Sequence, residues 1–209
     1  MTTTIGIKYK DGIILAADRQ VSSENFIASK YGEKIHQVDR NIAVTIAGLV
    51  ADAINLVERL KAEFKLYYYD KKRPISIEHA ARLASNIFYG GFRGGRPLYT
   101  QILIGGFTIH NGDGNGTPKL YVIDPSGGSI EDKFIATGSG SQVAYGTLEN
   151  SYREDLTEKE AIQLAYKAMK SAIERNPFTG NGIDAVCISR EGFKRLTDEE
   201  LLNIAEVTN

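Results

Sequence analysis

The chain has 209 residues, of which 42% are hydrophobic and 24% charged, and a formal net charge of −1 at pH 7. That length suits one domain with a sizeable core, and the near-neutral balance carries no electrostatic footprint for nucleic acid or for a membrane surface. No apolar run approaches a membrane span, and the single cysteine, Cys187, can form no internal disulfide, so a cytoplasmic setting is expected.

Residues 2–10 alternate, with Ile5, Ile7 and Tyr9 on one face and Thr4, Gly6 and Lys8 on the other. Asp11-Gly12 then leads into Ile13-Ile14-Leu15-Ala16-Ala17-Asp18, and two strands joined by Asp-Gly form a strong hairpin signal. Antiparallel pairing carries Asp18 back toward Thr2. A second hairpin reads from Lys34 through Asp39-Arg40-Asn41 to Ala47, which gathers Lys34 and Gly48 at one common end. From Leu49 to about Tyr69 the period becomes helical, with Val50, Ile54, Val57, Leu60 and Phe64 on the apolar face. A second helix runs from Ser76, a fitting N-cap, to about Tyr89, and the two are expected to pack as an antiparallel pair.

Strands resume at 100–109 and 119–124, and a further one reaches Ala136-Thr137 after the turn Pro125-Ser126-Gly127-Gly128. Gly138-Ser139-Gly140-Ser141 opens a helix, and Thr157 caps a longer one ending near Arg175. A strand over 183–189, a turn at Glu191-Gly192 and a helix from about Thr197 complete the chain. Grouped strands and grouped helices predict an α+β fold, with antiparallel sheets and helices packed outside. No repeat or linker divides it, so a single domain over 1–209 is expected.

Chemistry enters at Thr2. With Met1 removed, a hydroxyl and a free α-amine share one residue, the arrangement of a Thr–N-terminus nucleophile. A terminal amine titrates at roughly 7.7–8.0, against roughly 10.4 for lysine, so about a tenth of it is unprotonated at neutral pH. His36, His79 and His110 show no ligand spacing, so no metal is expected, and no cofactor motif accompanies them. Asn111-Gly112-Asp113-Gly114-Asn115-Gly116 lacks the terminal glutamate of a calcium loop and reads as a hairpin loop. Gly91-Phe92-Arg93-Gly94-Gly95-Arg96 reads as a surface or subunit-contact loop.

Five motifs occur in order and at fixed spacing: Thr2-Thr3-Thr4-Ile5-Gly6-Ile7; Leu15-Ala16-Ala17-Asp18; Ala28-Ser29-Lys30 with Lys34; Thr45-Ile46-Ala47-Gly48-Leu49-Val50-Ala51-Asp52-Ala53; and Thr137-Gly138-Ser139-Gly140-Ser141. Together they resemble a proteasome β subunit of the prokaryotic, archaeal type, over nearly the whole chain. The resemblance implies a four-layer α-β-β-α sandwich of two antiparallel sheets between helix layers, in the N-terminal-nucleophile hydrolase class. It implies a threonine endopeptidase that cuts unfolded polypeptides inside a closed chamber. Seven-membered β rings, flanking α subunits and an ATPase activator acting through the α ring are the implied partners.

Position by position, the resemblance implies that Thr2 is the nucleophile and that Asp18 and Lys34 are its charged partners. Ser139 matches the serine that supports the amine. Gly48 matches the residue whose backbone N–H faces the oxyanion, and Ser22 the position that hydrogen-bonds an extended substrate. Whether the α-amine or Lys34 takes the proton stays open at this level. The first specificity pocket corresponds to Val21, Gly32, Ile46, Val50 and Ile54, none of them charged, which predicts cleavage after large apolar residues.

Two departures stand out. The family's Asp-x-x-Ser-Gly run reads Asn176-Pro177-Phe178-Thr179-Gly180 here, keeping a hydroxyl at Thr179 and an acceptor oxygen at Asn176 but losing a negative charge. Weakened activity is the expectation. Family members commonly carry a propeptide cut autocatalytically before the threonine; in this sequence Met1 stands before Thr2, and the expectation is that Met1, or a propeptide not included in the sequence, is removed. The alternative reading is a weakly active or inactive structural β subunit that supports a catalytic paralogue in the same ring; a small-amide amidase of the same class is the third.

Overall fold

The computed structural model describes residues 2–23, 25–109 and 116–206. Met1, His110 and most of the 111–117 loop lie outside the described residues.

The Asp11-Gly12 turn joins β1 (Thr3–Tyr9) to β2 (Gly12–Asp18), and their register sets Thr4 opposite Ala17. A short ribbon follows, β3 (Val21–Ser23) with β4 (Phe26–Ser29). The second hairpin is β5 (Ile35–Asp39) with β6 (Ile42–Gly48). Two helices come next, α1 (Val50–Lys71) and α2 (Ile77–Arg93), the latter capped by the Ser76 hydroxyl accepting from the His79 amide. Then come β7 (Thr100–Ile109), β8 (Gly116–Ile123), β9 (Ser129–Glu131) and β10 (Phe134–Gly138). α3 (Ser141–Ser151) and α4 (Glu158–Arg175) lead to β11 (Ile183–Ser189), β12 (Gly192–Arg195) and α5 (Asp198–Glu206). Thr157 and Glu160 close a capping box at the start of α4.

Two antiparallel sheets result, in the orders β10-β1-β2-β11-β12 and β5-β6-β7-β8-β9. Three apolar clusters separate four layers. Ile5, Ile7, Tyr9, Ile14 and Ala16 of the first sheet pack against α3, α4 and α5. Val44, Ile46, Ile102 and Ile104 of the second pack against α1 and α2. Ile13, Leu15, Ala43, Leu103 and Val186 meet between the sheets. Both faces of β2 are therefore covered, which is why its sequence is a continuous apolar run rather than an alternation. The inter-sheet layer also holds a hydroxyl chain. Thr45 Oγ1 on β6 donates to Thr4 Oγ1 on β1 at 2.8 Å, and Thr4 Oγ1 lies 2.6 Å from Thr137 Oγ1 on β10. All three threonines are buried.

Several expectations need correction. The strand expected to run from the 125–128 turn to Thr137 is two strands in different sheets: β9 pairs with β8, while β10 pairs with β1. The chain crosses between the sheets at Asp132-Lys133. The β3–β4 ribbon and β12 carried no clear alternation and appear only in the structure. Helix α2 continues four residues beyond Tyr89, through Gly90 and Gly91. On α1 the buried face is Ala53, Leu56, Val57, Leu60 and Phe64; Val50 and Ile54 are exposed. The two helices share one core beneath them rather than depending mainly on each other, since α1 rests on β5 and β6 and α2 on β7 and β8. Cys187 is buried in the helix-side core, and burial pushes its thiol up to about 12, which leaves it inert at neutral pH.

Candidate active site

Asp18 organises the site. It ends β2 with 0% of its surface exposed, and N–H donors fill its carboxylate. Oδ1 accepts from the Thr3 amide at 2.9 Å and from Lys34 Nζ at 2.8 Å. Oδ2 accepts from the Gln20 amide at 3.0 Å and from the Gly180 amide at 3.1 Å. Four N–H donors match the four acceptor sites of an ionised carboxylate. Lys34, 4% exposed, also donates to the Gln20 carbonyl at 2.6 Å. Burial lowers the Lys34 ammonium below the ordinary lysine range, and the Asp18 carboxylate opposes that shift.

The hairpin registers explain why these groups meet. Ala17 opposite Thr4 puts Asp18 beside Thr3. In the other sheet the Ile46 amide donates to the Lys34 carbonyl at 3.0 Å, just beyond the Ile35–Thr45 pair. Thr2 is 7% exposed and is held through its carbonyl, which accepts from the Ser139 amide at 2.8 Å and lies 3.4 Å from Ser139 Oγ. Gly138, at φ +85°, leaves room for that carbonyl, which a Cβ would strike. The resemblance implies that Ser139 supports the Thr2 amine; with Met1 still attached, Ser139 meets the Thr2 carbonyl, and its Oγ lies closer to Asn176 Oδ1, at 3.2 Å.

Asn176 caps the end of α4, and its Oδ1 accepts from the Phe178 amide at 2.9 Å, with Ser139 Oγ and Thr179 Oγ1 each 3.2 Å away. The acceptor oxygen expected to survive the loss of a carboxylate is thus in use. Thr179 Oγ1 is also 2.7 Å from Thr3 Oγ1. With Thr179 donating to Asn176, the Thr3 hydroxyl donates to Thr179, so the relay runs from β1 to the α4–β11 loop. Six expected residues, Thr2, Asp18, Lys34, Ser139, Asn176 and Thr179, therefore fall in one connected network.

The expected pocket residues are less uniform. Val21 and Gly32 are neighbours, since a Cβ on Gly32 would collide with Val21 Cγ2. Ser22 is tied in through Gln20 Nε2, which donates to its Oγ at 3.0 Å. Val50 and Ile54 present exposed surface on α1, whereas Ile46 is only 5% exposed and belongs to the core beneath α1. Ile46 therefore offers little surface to a ligand. Gly48 has φ +133°, and a Cβ there would meet the Tyr99 carbonyl. That close approach of the Tyr99–Thr100 backbone, as much as room for a ligand, requires glycine at this position.

Sequence reasoning missed Gln20, Thr3 and the Gly180 amide. Asn181-Gly182, both at positive φ, was the available signal for a tight loop folded back on Asp18. Nothing in the local pattern marks Gln20.

Residues 1–188 match the family model for proteasome subunits. The chain belongs to the proteasome subunit family. It is 47% identical to a proteasome subunit beta of Methanothermobacter thermautotrophicus, over 100% of this chain and 96% of that protein. It is 44% identical to the proteasome subunit beta of Methanobrevibacter ruminantium, over 100% and 95% respectively. A proteasome subunit beta 2 of Pyrococcus abyssi is 42% identical over 96% and 92%. These proteasome β relatives make the chain a subunit of the proteasome core, assembled with other subunits, in a family of threonine proteases. Among the described residues no helix is long and apolar enough to cross a membrane.

Proposed function

We propose that this proteasome subunit is a catalytic one: a threonine endopeptidase whose nucleophile is Thr2, once Met1 is gone and the α-amine is free. The observation that carries this reading is the buried Lys34–Asp18 pair one residue from Thr2, with the Thr3 amide on the same carboxylate oxygen as Lys34. An ammonium has three N–H donors. Two are engaged by Asp18 and the Gln20 carbonyl, and the third serves the Thr2 hydroxyl as it becomes an alkoxide.

Thr2 Oγ1 attacks the scissile carbonyl carbon, and the hydroxyl proton passes to the free α-amine while Lys34 stays an ammonium; Lys34 takes it instead only in its neutral form, which burial favours. The oxyanion faces the Gly48 amide. Collapse expels the leaving amine, which takes the proton, and water then hydrolyses the Thr2 ester. Ser139, Asn176 and Thr179 hold the chain start, Ser22 meets the extended substrate backbone, and Val21, Gly32, Val50 and Ile54 shape a pocket for large apolar residues. Ile46 supports that pocket from below. The continuous cores support one domain over 1–209. Seven-membered β rings, α rings, an ATPase activator, unfolded substrates and a cytoplasmic setting complete the reading.

A second reading, a structural subunit with little activity beside a catalytic paralogue, is favoured by one observation: Asn176 brings no charge to the neighbourhood of Thr2 and Ser139. Peptide hydrolysis by assembled particles separates the two. Thr2→Ala and Lys34→Ala each abolish hydrolysis in the catalytic reading; particles that assemble yet never hydrolyse peptide contradict it.

A further inference from the structure

Gln20 is a polar residue at this site to which the mechanism gives no role. It is 5% exposed, it lies two residues past Asp18, and its side-chain amide makes three hydrogen bonds. Nε2 donates to Ser22 Oγ and to the Pro177 carbonyl, each at 3.0 Å, and Oε1 accepts from Asn181 Nδ2 at 2.9 Å. The Pro177 carbonyl can only accept, which fixes the amide's orientation. Its backbone is committed as well, through its amide to Asp18 Oδ2 and its carbonyl to Lys34 Nζ. One residue thus joins the charged pair, the 176–181 loop and the β3 ribbon.

The consequence for Ser22 is chemical. Because Gln20 Nε2 donates to Ser22 Oγ, the serine oxygen acts as acceptor toward the protein, and its own hydrogen remains for an acceptor elsewhere. Ser22 is only half-buried, on the short β3 ribbon, so its rotor would otherwise sample several directions.

We propose that Gln20 is a positioning residue for substrate binding: anchored on the Pro177 carbonyl and Asn181, it sets the Ser22 hydroxyl as a donor toward a backbone carbonyl of the extended peptide. The inference rests on the proposed peptidase function. It acts through Ser22 and not on the scissile bond, so it is read in KM more than in kcat.

The test is steady-state hydrolysis of an apolar tetrapeptide amide by assembled particles carrying Gln20→Met, Ser22→Ala or both. Losing one oriented hydrogen bond corresponds to a rise in KM of about five- to tenfold for Gln20→Met, with a smaller fall in kcat. In the Ser22→Ala background the same change moves KM by less than about twofold, because the hydroxyl it orients is gone. Should Gln20→Met fail to assemble, Gln20→Asn keeps the amide but is one methylene short, and it moves KM in the same direction. A KM equal to wild type, or full additivity with Ser22→Ala, overturns the proposal while the peptidase reading stands. Wild-type particles that hydrolyse nothing overturn the peptidase reading, and this inference with it.

Discussion

Lys34 Nζ lies 2.8 Å from Asp18 Oδ1, and both side chains are buried at the meeting point of two hairpins from different sheets. Removing two charges from water is costly, and their attraction offsets this only when further hydrogen bonds satisfy them. Here the Thr3, Gln20 and Gly180 amides and the Gln20 carbonyl complete the pair. The arrangement is therefore sensitive to loss of either partner.

Asp18→Asn keeps the shape but removes the charge and turns an amide NH2 toward N–H donors. Stranding the Lys34 ammonium costs about 3–5 kcal/mol of stability. Peptidase rate falls by a factor on the order of 100–1000 because Lys34 loses its orientation. Denaturant unfolding of the chain and peptide hydrolysis by assembled particles check the two effects separately.

Asn176→Asp puts a carboxylate where Oδ1 already accepts from the Phe178 amide, with Ser139 and Thr179 in reach. The same donors then bond a charged oxygen: the single Ser139 hydroxyl hydrogen commits to position 176, which leaves Ser139 Oγ as an acceptor for the free Thr2 amine while the Ser139 amide keeps the Thr2 carbonyl. Peptidase rate rises about fivefold, the worth of one charge-assisted hydrogen bond over a neutral one. An unchanged rate would show that the neutral side chain costs the enzyme nothing.

Gly32→Ala drives a methyl group into Val21 Cγ2, and Val21, one wall of the proposed specificity pocket, must shift. In wild type, hydrolysis after Leu, Phe or Tyr outpaces hydrolysis after Glu or Arg, since a charged side chain would be desolvated there without a partner. In Gly32→Ala, kcat/KM falls about tenfold for Phe and Tyr and less for Leu, the scale of a steric change in an apolar pocket. A fluorogenic panel cut faster after Glu or Arg refutes the apolar pocket.

His36, on β5, has its Nε2 buried without a hydrogen-bond partner among the described residues. Burial lowers its pKa below the ordinary 6.5; Glu33 opposes that shift, while Lys61 and Arg195 add to it. The folded state thus favours neutral imidazole, and the unfolded chain binds more protons around pH 6. Stability from this group is fully present above pH 6.5 and is lost as pH falls through the lowered folded value, with a slope of at most about 1.4 kcal/mol per pH unit. Unfolding free energy measured from pH 8 to pH 5 shows this slope, and His36→Gln flattens it.

Local pairing made much of the site legible. Asp11-Gly12 fixed one register and Asp39-Arg40-Asn41 the other, and those registers alone brought Asp18 beside Thr3 and Lys34 to the end of β6 where Gly48 lies. What stayed hidden was non-local or lacked a period. Gln20 meets Pro177 and Asn181 across more than 150 residues, and no local pattern encodes that contact. The β3–β4 ribbon exposes Phe26 and Ile27, so it shows no core-facing alternation. Val50 and Ile54 satisfied the helical period yet point to solvent, because the small Ala53 occupies the buried position between them.

The central claim is a free Thr2 amine beside an activated hydroxyl. Intact mass of the subunit from assembled particles, before and after treatment with a threonine-directed peptide epoxyketone, tests it most directly. The account predicts a chain beginning at Thr2 that gains one inhibitor mass, with the adduct lost in Thr2→Ala. A chain that retains Met1 and gains no adduct contradicts it.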